Sequence, residues 1–545
     1  MTPRDGDPQA EAESRAAAEA AAQEARAAPA APGGRLAHST AIFAAATGLS
    51  RILGLVREIV ARRYFGVDGA GINAFTAAFQ IPNLVRALVA DAALSSAFVP
   101  VFSELLEKGE RARAWRVAST LFWLLLLGLG ALTALFMLAA PLAMKPFGFD
   151  GEQEQLAVTL SRILFPIVAL LGVSGIVVGV LNSYEHFAVP ALTPVAWNLA
   201  IIAGLAIGVP QAGSAEAELY VYAASILAGT VIQVLLPIPW LRGRDGTLRV
   251  AVDWRDPAVR RVFVLMGPVT LGLGLINFNQ VIGTVFAARL IDRTLAPAAI
   301  DAAFRIYMLP QGIFSVAVAT VLFPALSRLA ARADWDDFRG MVSLGIRQIA
   351  FLLVPASVAS AVLAEPIVRL LYERGEFGPH ETTVVAGALA AFSLGLTFNG
   401  MMLMLNRAFF SLQSPWTPTA VALGNLALNT LLYYAFYRVG AWGIPLAISL
   451  ANVAGVAALL LLLRRRLGRI DFGQIGSSLA RVTLASTALA GASYAVFAAL
   501  DGSLPLAVAL VSALLVGAAA YAASARLLGV RELEALLALR RRPGG

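Results

Sequence analysis

Cysteine is absent from all 545 residues, which removes disulfides, thiolate metal sites and cysteine nucleophiles while leaving the compartment open. Lysine is almost absent as well. Lys108 and Lys145 are the only two, so the net charge of +8 is carried by arginine. Neither lysine stands in a Gly-rich phosphate loop, and nothing supports a P-loop ATPase. The three histidines, His38, His186 and His380, lack the spacing of a metal site, and no cofactor is expected. Charged residues make up only 14% of the chain, against about 25% in ordinary soluble domains, while hydrophobic residues reach 59% and mean hydropathy is +0.75. These proportions describe an all-α polytopic membrane protein. Its basic residues lie in short loops or inside apolar segments, so a nucleic-acid partner is not expected.

Residues 1–36 are rich in Ala, Glu, Pro and Gly without an apolar core, and read as a disordered tail rather than a signal peptide. Beyond them, apolar stretches near the roughly 20 residues needed to span a bilayer recur with short loops. Fourteen are expected, from 37–61, 70–104 and 114–142 through 258–290 to 474–499 and 503–527. Loops after even-numbered spans hold Lys108, Arg111, Arg113 and Arg116, then Arg242, Arg244, Arg249, Arg255, Arg260 and Arg261, then Arg328, Arg332 and Arg339, then Arg464, Arg465, Arg466 and Arg469. The opposite side is sparser, with Arg62, Arg63, Arg293 and Arg374 as its main exceptions. With Arg540, Arg541 and Arg542 on the rich side, the positive-inside rule places both termini in the cytoplasm.

The chain also repeats itself. Leu181-Asn182 precedes Thr193-Pro194 by the same interval as Leu405-Asn406 precedes Thr417-Pro418. The same shift aligns Pro100, Ser103 and Leu105 with Pro324, Ser327 and Leu329, and a small slip brings Ile81-Pro82 onto Leu309-Pro310. A repeat offset by six spans gives two halves of the same orientation, related by an axis along the membrane normal, with a substrate site expected between them. Two spans are left over.

Polar residues stand inside these spans. On a helix, Thr47, Ser50, Arg51, Gly54, Arg57 and Glu58 fall on one stripe, opposite Leu49, Ile52, Leu53, Leu55 and Val56. A charge at bilayer depth costs about 2.5–3.5 kcal/mol, so this stripe must face water, protein or a ligand. The second span carries Gln80, Pro82, Asn83, Arg86 and Asp91, and Pro82 should kink it and open room for a polar lumen. Arg305 repeats the theme in the second half. Arg51, Arg57, Arg86 and Arg305 against Glu58 and Asp91 leave a cationic surplus, which predicts an anionic passenger bound through guanidinium forks. The plainer readings are an ion pair of Arg86 with Asp91 or Glu58, and an Arg305 that snorkels to the surface. Asp334-Trp335-Asp336-Asp337-Phe338 reads as a helix start with carboxylates at the positive end of the dipole. The segment from Glu365-Pro366 to Gly378-Pro379 reads as a hairpin or a lid.

Ser50-Arg51-Ile52-Leu53-Gly54-Leu55-Val56-Arg57-Glu58, Ala61-Arg62-Arg63-Tyr64-Phe65-Gly66, Ile81-Pro82-Asn83-Leu84-Val85-Arg86 and Ala97-Phe98-Val99-Pro100 resemble the N-terminal signature of the MurJ (MviN) lipid II flippases. Leu371-Tyr372-Glu373-Arg374-Gly375-Glu376-Phe377 and Arg407-Ala408-Phe409-Phe410 resemble later words of that family. The resemblance implies the multidrug/oligosaccharidyl-lipid/polysaccharide exporter fold. That means lobes at 37–242 and 243–466, two extra spans at 467–530 forming a lipid-tail groove, and a basic tail at 531–545. It implies lipid II as substrate, Arg51, Arg57, Arg86 and Arg305 as cavity arginines, and Glu58, Asn83, Asp91, Ser50 and Gly54 in support. It further implies a bacterial inner-membrane location, no covalent chemistry, and an ion gradient or the membrane potential as energy source. Two departures stand out: Asn73 and Met308 occupy positions where the family often has acids. Competing readings are another lipid-linked oligosaccharide flippase or drug exporter of this fold, and an integral-membrane glycosyltransferase. The last would need an acid or base on an outer loop, for which Asp292, Glu373 and Glu376 are the candidates.

Overall fold

The computed structural model describes residues 33–89, 92–184, 186, 188–468 and 472–533. Asp91, Arg540 to Arg542 and most of the two expected tails lie outside these residues. Among the described residues the chain is helical, with no named strand. The helices are α1 (Gly33–Phe65), α2 (Ala70–Val89), α3 (Ala92–Glu107), α4 (Arg111–Met144), α5 (Gly151–Leu164), α6 (Pro166–Ser183), α7 (Ala188–Ala203) and α8 (Ala215–Leu235). There follow α9 (Pro257–Phe286), α10 (Ala296–Pro310), α11 (Val316–Ala331), α12 (Trp335–Val362), the short α13 (Ala364–Tyr372), α14 (Pro379–Ser411), α15 (Trp416–Phe436) and α16 (Gly443–Leu467). A hairpin of α17 (Phe472–Leu500) and α18 (Leu506–Leu527) ends the described chain.

Eleven helical stretches among the described residues are long and apolar enough to cross a membrane, three fewer than expected. The stretches outside that count are the expected first, second and seventh spans. Long helices occupy all three, α1, α2 with α3, and α9. They carry Arg51, Arg57, Arg86, Asn277 and Asn279.

The repeated words take equivalent places. Leu181-Asn182 closes α6 and Thr193-Pro194 opens α7, as Leu405-Asn406 closes α14 and Thr417-Pro418 opens α15. Pro100, Ser103 and Leu105 occupy the end of α3, as Pro324, Ser327 and Leu329 occupy the end of α11. Packing repeats with them. α1 lies on α7 as α9 lies on α15, α4 on α6 as α12 on α14, α3 on α6 as α11 on α14, and α7 on α8 as α15 on α16. The two halves are therefore copies of one design. The leftover pair, α17 and α18, packs on itself and against α12.

Local chemistry fixes the helix starts. Asp334 caps α12 by accepting from the Asp337 amide at 3.2 Å, with Asp336 and Asp337 in the first turn. Asp256 caps α9, accepting from the Ala258 amide at 2.8 Å and from Arg113 Nε and Nη2 at 3.2 and 3.1 Å. The Arg113 hydrogen bond holds the Asp256 carboxyl below its ordinary value of 3.8. This pair latches the linker between the halves onto the first turn of α4.

Candidate functional site

Between the halves lies a chamber of about 350 Å³, lined by α1, α2, α6, α7 and α8 of the first half and by Asp301 and Arg305 of α10. Its charged lining is Arg57, Arg62, Arg86 and Arg305 against Glu58 and Asp301, four cations to two anions. The rest mixes aromatics, among them Phe75, Phe79, Trp197 and Tyr222, with neutral polar groups such as Gln80, Asn83 and Gln233. Tyr222 stacks on Phe75 with ring centroids 4.4 Å apart, which stiffens that wall.

Arg62 is the hub. Although 4% exposed, it makes three contacts: Nε donates to Glu58 at 2.9 Å, Nη1 to the Gly66 carbonyl at 3.3 Å and Nη2 to Asp301 at 3.2 Å. Asp301 also accepts from Arg305, at 3.2 and 3.4 Å. The chain Glu58–Arg62–Asp301–Arg305 thus crosses from α1 to α10, each charge within reach of an opposite one. Arg57 sits beside this network, 3.8 Å from Glu58. It donates to Asn198 Oδ1 at 3.2 Å and lies 4.8 Å over the Trp197 ring. Its Nε is buried without a hydrogen-bond partner. Arg86 donates twice to Asn83 Oδ1, at 3.2 and 2.8 Å, and Asn83 reaches Asn277 of the second half at 3.4 Å.

Of the arginines expected in the cavity, Arg57, Arg86 and Arg305 line it and Arg51 does not. Arg51 is exposed and lies on the backbone of Gly312, where an added Cβ would sit 2.6 Å from Nη1. Gly312 belongs to the π-helical turn Gln311–Ser315 that joins α10 to α11. Glu58 and Asn83 line the chamber. Ser50 and Gly54 instead face α7: Asn198 Nδ2 donates to the Ser50 carbonyl at 3.3 Å, and Asn198 Oδ1 lies 3.9 Å from where a Gly54 Cβ would be. Sequence reasoning counted Arg62 among the loop arginines and passed over Asp301, Trp197 and Asn198. Signals were present: Arg62 is four residues after Glu58, Arg305 four after Asp301, and Asn198 stands alone in an apolar span.

One end of the chamber is closed. There Glu376 N donates to the Arg63 carbonyl at 3.0 Å and Gly69 N to the Thr294 carbonyl at 2.8 Å. Gln153 Nε2 donates to the carbonyls of Ala70 and Arg293, both at 3.1 Å. Arg289 donates to the carbonyls of Pro146 and Lys145 at 2.6 and 2.8 Å, and Arg293 pairs with Asp150 at 2.5 Å. Asn73, fully buried, donates to the carbonyls of Val67 and Gly69 at 2.9 Å and to that of Thr294, and accepts from the Ala298 amide at 2.9 Å. The two N–H groups of its amide are shared among three carbonyls, so the residue acts here as a donor. Met308 is 43% exposed and takes no part in this closure. The Glu365–Pro379 segment resolves into α13 and a turn whose Gly375, at φ +65, lies on the Arg63 carbonyl.

Two of the three acids on which a glycosyltransferase would depend accept local hydrogen bonds. Asp292 Oδ1 accepts from Thr294 N and Oγ1 at 2.7 and 2.8 Å, and Glu373 accepts from Thr382 at 2.6 Å, while the Glu376 backbone pins the closed end.

Solved structures share this architecture. A lipid II flippase MurJ in an inward closed conformation aligns over 89% of this chain and 98% of its own, with TM-score 0.74 and 24% identity. An inward-facing multidrug resistance MATE transporter of the MOP superfamily aligns over 77% and 94%, with TM-score 0.67 and 17% identity. The fold is the one these solved proteins share.

Sequence places it more narrowly. The family profile "Lipid II flippase MurJ" matches residues 61–510. The lipid II flippase MurJ of Burkholderia cenocepacia is 32% identical over 434 residues, 77% of this chain and 82% of that protein. A probable lipid II flippase MurJ of Rhizobium meliloti is 32% identical over 456 residues, 82% and 84% of the two chains. The chain belongs to the MurJ lipid II flippase family, whose members are transporters and not enzymes, and is a multi-pass protein of the bacterial inner membrane.

Proposed function

We propose that this protein flips lipid II from the cytoplasmic to the outer leaflet by alternating access of the chamber between its halves. The observation that carries the proposal is the chamber's excess of two cations, four arginines less two carboxylates, with Arg57 Nε buried and unpartnered beside it. Lipid II presents a pyrophosphate and peptide carboxylates, which guanidinium forks recognise at two oxygens each. Arg57, Arg86 and Arg305 hold the headgroup, and Arg51 meets it at the Gly312 contact on the way in. Glu58 and Asn83 orient these arginines. Ser50 and Gly54 seat α1 on α7.

On this reading the lobes are 37–242 and 243–466, both termini are cytoplasmic, and the closed end faces outward. The polyprenyl chain follows the surface of α17 and α18, and an ion gradient or the membrane potential drives the cycle. A drug exporter of the same fold that carries cations would need acidic residues where these arginines stand.

Complementation of a flippase-depleted strain tests the proposal. Arg57→Ala and Arg86→Ala should each abolish growth while the protein remains in the membrane, and lipid II should accumulate in the inner leaflet in an accessibility assay. Normal growth and normal lipid II distribution with either variant would defeat the assignment.

A further inference from the structure

A second polar void, of about 90 Å³, lies where α12, the start of α17 and the segment after α18 meet. None of its lining residues lines the chamber. Three guanidinium groups surround it, from Arg347 of α12, Arg481 of α17 and Arg531, together with Ser477, Ser478 and Glu532. Three cations against one carboxylate again leave a surplus of two.

Its buried polar atoms are unsatisfied. Arg347 Nε and Glu532 Oε1 lie 3.4 Å apart, yet neither completes a hydrogen bond. Ser478 is 8% exposed and its Oγ has no partner. Buried polar groups left unmade cost free energy, so such a cluster calls for an occupant. Water could satisfy the hydroxyl, and the void has room for it. The two surplus guanidiniums, Arg481 and Arg531, stand exposed at the rim, and one tetrahedral oxyanion would accept from both of them and from the buried hydroxyl at once.

The position of the void identifies the source. Arg481 Nη1 donates to the Gly529 carbonyl at 3.0 Å, which sets the void level with the end of α18. Both helices of this hairpin are apolar enough to span a membrane, so that end marks a boundary of the apolar layer. Just below it, Leu484 and Leu527 are 57% and 88% exposed. We propose that this void binds the phosphate oxyanion of an anionic membrane phospholipid, with its acyl chains running down the exposed faces of α17 and α18. Arg481 and Arg531, both exposed, grip the phosphate from the rim, and Ser478 donates to it from the floor. This phosphate site shares no lining residue with the cargo chamber, and its acyl chains lie on the helix pair proposed for the polyprenyl chain.

The test uses the full-length protein, stripped of lipid in detergent. Phosphatidylglycerol and, in a parallel arm, inorganic phosphate are titrated, with bound mass and thermal midpoint as readouts. Phosphatidylglycerol should bind the parent, and the double substitution Arg481→Gln/Arg531→Gln should weaken it by about tenfold or more, the loss of a charge-assisted hydrogen bond. Ser478→Val, which fills the void without touching charge, should weaken it as well. Inorganic phosphate should compete only at far higher concentration. Unchanged phosphatidylglycerol affinity in both variants overturns the site, and inorganic phosphate binding as tightly as the lipid overturns the membrane source.

Discussion

Two neighbouring arginines on α1 carry different duties, and the difference is measurable. Arg62 bridges Glu58 and Asp301 in a buried setting, so Arg62→Ala leaves two carboxylates without their shared cation. Breaking such a buried pair costs about 3–5 kcal/mol. Arg57 leans on a neutral amide and an indole, and Glu58 keeps Arg62 when Arg57 is removed. Arg57→Ala should therefore cost about 1 kcal/mol of stability while abolishing transport. Thermal midpoints in detergent, read beside complementation, should order the variants oppositely: Arg62→Ala the less stable, Arg57→Ala stable and inactive. At this scale the sequence was readable where charge broke an apolar run, as at Arg57, Arg86 and Arg305. It misled where distance along the chain hid a partner. Arg62 looked like a loop residue because its third contact, Asp301, lies 239 positions away. Arg51 shared the stripe of Arg57, yet six residues of helix carry it onto Gly312 and out of the chamber.

The helix ends also make a testable claim. Asp256 both caps α9 and accepts from Arg113, and this depresses its carboxyl pKa. A depressed pKa contributes stability that is present above the ordinary carboxylate value near 3.8 and is lost as pH falls through the lower folded value. Asp256→Asn should thus lower the thermal midpoint at pH 7, and the gap to the parent should close as the pH drops below 3.8. A gap that persists in acid would mean the latch is not electrostatic. Helix identities and the six-span repeat were legible because apolar length and repeated words such as Leu181-Asn182 and Leu405-Asn406 are local signals. Long helices α1, α2 with α3, and α9 also stand at the expected first, second and seventh places. The α13 turn could be read as hairpin or lid, since only packing on the Arg63 carbonyl distinguishes them.

In the whole molecule, closure at one end depends on backbone meeting backbone across the halves. Gly375 takes φ +65 and lies on the Arg63 carbonyl, so Gly375→Ala adds both left-handed strain and a clash with main chain that cannot rotate away. The expected cost is about 1–3 kcal/mol, taken from the closed state. Because the chain has no cysteine, Gln80→Cys in the chamber is a clean reporter. A membrane-impermeant maleimide added from outside should label it faster in the Gly375→Ala background than in the parent. Equal rates would show that this turn does not hold the seal.

The surplus of two positive charges in the chamber has an electrical consequence. In the proposed alternating-access cycle the two negative charges of a bound pyrophosphate would offset it, so the loaded chamber would carry less positive charge across the membrane than the empty one. The empty chamber would carry both charges back. At about 2.3 kcal/mol per charge per 100 mV, an inside-negative voltage would pull chiefly on that vacant return stroke and draw the carrier toward its next load.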